Sequence, residues 1–243
     1  MRAVSVMLSL VIGVAMLLTS CARPARNAEP DPRVGAIFRD GSDRHGCSGS
    51  VVHSTGGDLV LTAAHCLLGD SATTFVPGFA GALVPADTWK VAEVYFDARW
   101  ITSRDPRADF AIARVRGTGT RSVEDRAGAA LSLSSAPVPG SRVTVTGYAA
   151  GVGGQPISCQ GSTGVTGGGF PSLPCDGLVG GTSGAPWIIG STVVGVIGGL
   201  QGGGCTENMS YSPPFDERTA QLLTRAEAGG PGDTSPTGYN DGC

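Results

Sequence analysis

From residue 34 onward, short apolar runs alternate with turns rich in glycine and proline. Residues 34–38, 50–52, 59–62, 91–96, 110–115, 142–146, 187–189 and 192–197 are β-branched or alternate between apolar and polar positions. Runs of this length and composition predict strands. Gly56-Gly57-Asp58 reads as a hairpin turn between two of them. Many short strands joined by glycine-rich turns predict an all-β sandwich or barrel. One helix is expected near the end of the chain. Asp216 caps it behind Pro213 and Pro214, Ala220, Leu222 and Leu223 supply its buried side, and Gly229-Gly230-Pro231 stops it. No internal repeat is visible in the sequence.

The two ends have different patterns. Behind Arg2, residues 4–18 form an apolar run. It falls short of the roughly 20 residues that a membrane-spanning helix needs, and reads as a secretory signal over residues 1–20. The run ends in Leu18-Thr19-Ser20-Cys21, which resembles a bacterial lipobox. That resemblance implies cleavage before Cys21 and lipidation of its thiol. The product is a cell-surface lipoprotein that touches the membrane only through its anchor. A secreted protein cut nearby is the alternative. Residues 21–33 are polar and proline-rich and are expected to be a tether. Residues 229–243 are expected to be a loose tail unless Cys243 ties them down.

Composition narrows the function classes. The chain has 243 residues, of which 41% are hydrophobic, and all-β barrels reach this size as one unit. The net charge of −3 comes without any block of like charge, which argues against nucleic acid or a polybasic membrane contact. After Cys21 come Cys47, Cys66, Cys159, Cys175, Cys205 and Cys243. An even set in an exported chain predicts bridges, but six cysteines allow 15 pairings and the sequence alone selects none. The set His45, Cys47, His53 and Cys66 fits no usual zinc spacing. No metal or cofactor is expected.

The candidate chemistry lies in two motifs and a connecting acid. Ser183 stands in Gly180-Gly181-Thr182-Ser183-Gly184-Ala185-Pro186, and His65 in Thr62-Ala63-Ala64-His65-Cys66. A serine hydroxyl is a weak nucleophile at neutral pH. It needs a base to take its proton and donors to hold the oxyanion formed on attack. Glycines before the serine allow a tight turn that aims backbone N–H groups at one point. Asp109, in Ala108-Asp109-Phe110-Ala111-Ile112-Ala113, is the candidate for orienting the imidazole. Asp97 and Asp105 are the competing acids, and Ser162 and Ser191 the competing hydroxyls. His45 and His53 lack such a context and read as surface residues. The order His65, Asp109, Ser183 is one of the known chain orders for this machinery.

These motifs resemble those of the chymotrypsin-fold (trypsin-like) serine peptidases, over about residues 34–228. The resemblance implies two six-stranded antiparallel β-barrels with a boundary near 120–130, and a catalytic cleft between them. It implies catalysis by His65, Asp109 and Ser183, and an oxyanion hole from the N–H groups of Gly181 and Ser183. It also implies a peptide or protein substrate, and a monomer is expected. It implies a Cys47–Cys66 bridge bracing the histidine turn. Cys159–Cys175 with Cys205–Cys243 is the preferred reading of the other four, and Cys175–Cys205 across the specificity pocket is the alternative. Thr182 stands where activated zymogens carry an aspartate, which points toward bacterial glutamyl-endopeptidase-like and streptogrisin-like members. Gly184-Ala185 replaces the usual Gly-Gly. The aligned pocket comprises Gly177 and Leu178 on one side and Gly198, Gly199 and Leu200 on the other, with no acid at its base and Ile197 where glutamyl endopeptidases use histidine. A neutral or apolar acyl-side residue is therefore expected. The rival readings are a catalytically silent binding module at the cell envelope and an esterase using the same site.

Overall fold

The computed structural model describes residues 23–69, 72–206 and 208–240. The expected signal segment, Cys21 and Cys243 lie outside them. Strands Val34–Arg39, Arg44–Val52, Leu59–Thr62, Thr73–Pro77, Trp89–Phe96 and Ala111–Arg116 form one sheet. Leu59–Thr62 pairs with both Arg44–Val52 and Ala111–Arg116, and this double pairing closes the six strands into a barrel. Its four residues are all buried, as an apolar run enclosed on both faces requires. Phe38, Phe75, Tyr95, Phe96, Phe110 and Ile112 fill the interior. Their burial is the main term that holds this half together.

The second half begins after a connection that contains the helix Val123–Ala127. Arg142–Gly147, Ile157–Ser162, Pro186–Ile189 and Thr192–Val196 form most of a six-stranded sheet. Pro171–Asp176 organises a separate four-stranded sheet with Met209–Tyr211 and two short strands. The Cys159–Cys175 bridge joins the two sheets, and Val145, Leu173, Trp187 and Val194 pack between them. The fold is chymotrypsin-like, with its first barrel closed by hydrogen bonds and its second half built from these two packed sheets.

Several expectations need correction. Residues 23–33, expected as a tether, are part of the fold: Arg23–Pro24 pairs with Cys175 and Asp176, and Arg26–Asn27 pairs with Ile157 and Ser158. Sheet edges accept such strands because their N–H and C=O groups otherwise lack partners. The C-terminal helix Glu217–Ala228 starts at Asp216 as expected, with a reciprocal capping box to Thr219. Its buried side differs, because Ala220 is exposed and Thr219, Leu222 and Ala226 are buried. His45, expected at the surface, is buried against Phe38, Phe79 and Tyr148, and its Nε2 meets the Gly153 carbonyl at 2.8 Å. The described part of the tail is packed against the first barrel.

Candidate active site

His65 sits in a single 3-10 turn, Ala64–Leu67, immediately after the buried strand Leu59–Thr62. The Cys47–Cys66 bridge pins this turn to the strand Arg44–Val52. Asp109 follows another short turn, Pro106–Ala108, and precedes the strand Ala111–Arg116. Strand pairing places Thr62 opposite Ala111 and so brings the two turns together. Asp109 Oδ1 accepts the His65 backbone N–H at 2.9 Å, and Oδ2 lies 2.8 Å from His65 Nδ1. An ionised carboxylate can only accept, so on this edge the imidazole proton is at Nδ1, which leaves Nε2 as the basic nitrogen.

Asp109 is fully buried, with 0% exposure. Among the described residues its only ion-pair partner is His65. A third donor, the Gly199 N–H, reaches Oδ2 at 2.8 Å. A buried carboxylate is costly unless its lone pairs are satisfied, and three donors meet that need without a cationic arginine or lysine. The competing acids are occupied elsewhere. Asp97 caps the helix Ala98–Ser103 and pairs with Arg99, and Asp105 accepts from the Arg107 N–H.

Ser183 lies in a turn whose carbonyls are each held. The Gly180 oxygen accepts from Ala150 N–H at 2.8 Å, the Gly181 oxygen from Ser48 Oγ at 3.0 Å, and the Ser183 oxygen from Ser48 N–H at 2.7 Å. In a trans peptide the C=O and N–H point opposite ways. Tying down the Gly180 oxygen therefore turns the Gly181 N–H the other way. The Thr182 oxygen is taken by Ala185 N–H at 2.9 Å, which does the same for the Ser183 N–H. Among the described residues neither N–H has an acceptor. Gly181 has φ +97°, and a Cβ there would lie 2.1 Å from Ala150 N. Gly184 has φ +80°, and its Cβ would lie 2.1 Å from Thr62 Oγ1. The second of these contacts is with the histidine motif itself. Cys66 Sγ is 3.7 Å from the Ser183 carbonyl oxygen, so the two motifs meet although 117 residues separate these two positions.

A cavity of about 160 Å³ opens beside Ser183. Leu178, Val179, Gly180, Thr182, Ile197, Gly202–Gly204, Cys205 and Thr206 line it, none of them charged. Of the pocket residues read from the sequence, Leu178 is in this lining, while Gly177, Gly198, Gly199 and Leu200 are not. The strand Thr192–Val196 ends early, and Leu200–Gly203 coils into a 3-10 turn with Gln201 at φ +52°. The glycines after it therefore form the far wall. Gly177 lies instead near Ala25 of the N-terminal segment. Cys159–Cys175 is bridged as preferred. Cys205 is disulfide-bonded, and the expected partner, Cys243, is outside the described residues. Cys47, His65 and Cys66 bring their ligand atoms within 4.8 Å of one another. Both sulfurs are spent in the Cys47–Cys66 bridge, so this group offers a metal only the histidine. The sequence reading missed Ser48, Ala150 and the Gly199 N–H, whose contacts here are with residues distant in sequence.

Residues 47–196 match the model of the trypsin-like peptidase domain family, a span that includes His65, Asp109 and Ser183. No curated protein matches the chain. Among solved structures, the protease Anisep from Arthrobacter nicotinovorans is similar at 24% identity and TM-score 0.73, covering 84% of this chain and 100% of its own. The thermostable serine protease AL20 from an extremophilic microorganism is similar at 25% identity and TM-score 0.71, covering 82% and 99%. A Glu endopeptidase shares the fold at 17% identity and TM-score 0.69, covering 85% and 98%.

Proposed function

The chain belongs to the trypsin-like peptidase family, and on that basis we propose that it hydrolyses peptide bonds through Ser183, His65 and Asp109. It is a serine endopeptidase. In the proposed cycle, His65 Nε2 takes the Ser183 proton as Oγ attacks the scissile carbonyl. The Gly181 and Ser183 N–H groups receive the developing oxyanion, where fixed donors act most strongly. His65 then returns the proton to the leaving amine, and an acyl-enzyme remains for water to hydrolyse. Asp109 stays ionised, keeps the proton on Nδ1 and stabilises the transient imidazolium.

The observation that carries this reading is Asp109, a wholly buried carboxylate with two of its three hydrogen bonds to His65. A purely structural acid would be expected to find an arginine or to stay at the surface. The uncharged cavity supports cleavage after a small or apolar residue. The disulfides support export, and the lipobox-like Leu18–Cys21 segment supports a lipid anchor at Cys21. The deciding experiment is steady-state hydrolysis of a peptide library. Ser183→Ala and His65→Ala should each lower turnover by about 10⁴-fold or more while leaving the fold intact. Comparable turnover in either variant would remove the assignment.

A further inference from the structure

One face of the His65 imidazole is covered by a residue from the far end of the chain. The Tyr239 ring lies nearly parallel to it, with centroids 5.4 Å apart and planes at 11°, within the range of offset stacking. A parallel ring covers a face and leaves the edges open. The contact therefore keeps Nδ1 on Asp109 and does not consume the Nε2 lone pair. Tyr239 is itself held in place. Trp100, fully buried, packs against it at 5.0 Å and 50°. Its hydroxyl donates to the Gly199 carbonyl at 3.5 Å, while the Gly199 N–H donates to Asp109 Oδ2 at 2.8 Å. The contacts close a circuit through His65, Asp109, Gly199 and Tyr239. The tail leading to Tyr239 is tied to the segments that carry the pair. The Pro236 carbonyl accepts from Gly69 N–H at 2.8 Å, just past the histidine turn. The Gly238 carbonyl accepts from Arg104 Nε at 3.0 Å, just before the aspartate turn.

This cover acts on the imidazole in two ways. A hydrogen bond at Nδ1 fixes one edge but leaves the ring free to tilt about it, because the last torsion of histidine is soft. A flat ring on the face removes that freedom. The attraction also depends on charge. A cation within about 6 Å of a tyrosine centroid is drawn to its electron-rich face, and a neutral imidazole far less. In the proposed cycle His65 is positive at the transition state, so the contact is stronger there than at rest and lowers the barrier. The other groups around the ring are accounted for. The Asp109 carboxylate is its charged partner, and the bridged sulfurs of Cys47 and Cys66 do not titrate. Arg104 is bonded to the Trp100, Ile101 and Gly238 carbonyls, and Arg107 to the Gly168 carbonyl and the face of Phe170.

Resting on the proposed roles of Ser183 and His65, we propose that Tyr239 is a positioning residue for the reaction. Its ring fixes the imidazole against Asp109 and stabilises the imidazolium that forms as Ser183 attacks.

The test uses the full chain with Tyr239→Phe, which keeps the aromatic face, and Tyr239→Leu, which keeps bulk without it. For a peptide substrate, kcat should fall about threefold or more in Tyr239→Leu with KM nearly unchanged, and should stay near the wild-type value in Tyr239→Phe. Losing the face disfavours the charged imidazole. The acid limb of the kcat/KM profile should therefore move to lower pH by roughly half a unit in Tyr239→Leu. NMR titration of the His65 ring protons, identified by their absence in His65→Ala, should show the same fall without reference to turnover. Thermal melting checks that each variant is folded, and Tyr239→Ala serves if the leucine variant is not. A kcat or a His65 titration that keeps its wild-type value in the folded leucine or alanine variant would overturn the proposal. So would faster turnover, a loss carried by KM, or an equal loss in Tyr239→Phe. In each of these cases Ser183-dependent hydrolysis leaves the parent reading standing. Hydrolysis unaffected by Ser183→Ala, or absent altogether, would overturn both.

Discussion

At Gly181 a backbone torsion and the proposed oxyanion donor are the same feature. Its φ of +97° and the 2.1 Å approach of a hypothetical Cβ to Ala150 N leave no room for a side chain. Gly181→Ala is expected to displace Ala150, release the Gly180 carbonyl and turn the Gly181 N–H away. The loss of one oxyanion donor predicts a fall in kcat of about 10²–10³-fold with KM nearly unchanged. Unchanged kcat would mean that this N–H does not serve the transition state. Gly181, His65, Asp109 and Ser183 were legible because each lies in a local motif. The Gly199 N–H was not legible, since it reaches Asp109 across 90 residues and a backbone donor leaves no mark on residue type. Thr182 is a smaller case, its hydroxyl bonding to the Val179 carbonyl at 2.7 Å within its own turn.

Among the elements, the six-residue helix Ala98–Ser103 matters because it carries the buried Trp100 against Tyr239. Its N-cap is Asp97, which accepts from Arg99 N–H and ion-pairs with the Arg99 guanidinium. Burial pushes the Asp97 carboxyl up, but the hydrogen bonds from Arg99 outweigh it and hold the group below its ordinary value. A depressed carboxyl contributes stability above its unfolded pKa of about 4 and loses it as the pH falls through the folded value. Asp97→Ala should therefore cost about 1 kcal/mol at neutral pH. In denaturant titrations the gap to wild type should narrow as the pH falls below about 4. A gap that widens in acid would contradict the assigned role. Strands such as Leu59–Thr62 were legible from composition, and the helix Glu217–Ala228 from its cap. Thr73–Pro77, Ile157–Ser162 and Pro171–Asp176 were missed. Their serines, glycines and prolines are poor strand formers that mask the alternation, and the neighbouring strands define them as strands.

For the molecule as a whole, the candidate site lies where the two halves meet, and both described ends pack onto the fold. Residues 23–27 complete sheets of the second half, and the tail returns to the first barrel near the histidine. Neither end was legible as structure, because polar, proline-rich segments look like linkers until a sheet edge or an aromatic ring receives them. The Cys47–Cys66 bridge closes a loop with a sequence separation of 19. Replacing both cysteines by alanine should cost on the order of 3 kcal/mol, or roughly 6–12 °C in Tm. It should also lower turnover in protein that is still folded, since the bridge fixes the turn that carries His65. Full activity in a destabilised variant would assign the bridge to stability alone. The reading as a whole depends on Ser183 being an activated nucleophile, which covalent capture measures. Intact-mass and peptide analysis after treatment with a fluorophosphonate should find one adduct, on Ser183, formed rapidly in wild type and absent in Ser183→Ala. Folded wild-type protein that stays unlabelled, or equal labelling of Ser183→Ala, would contradict the account.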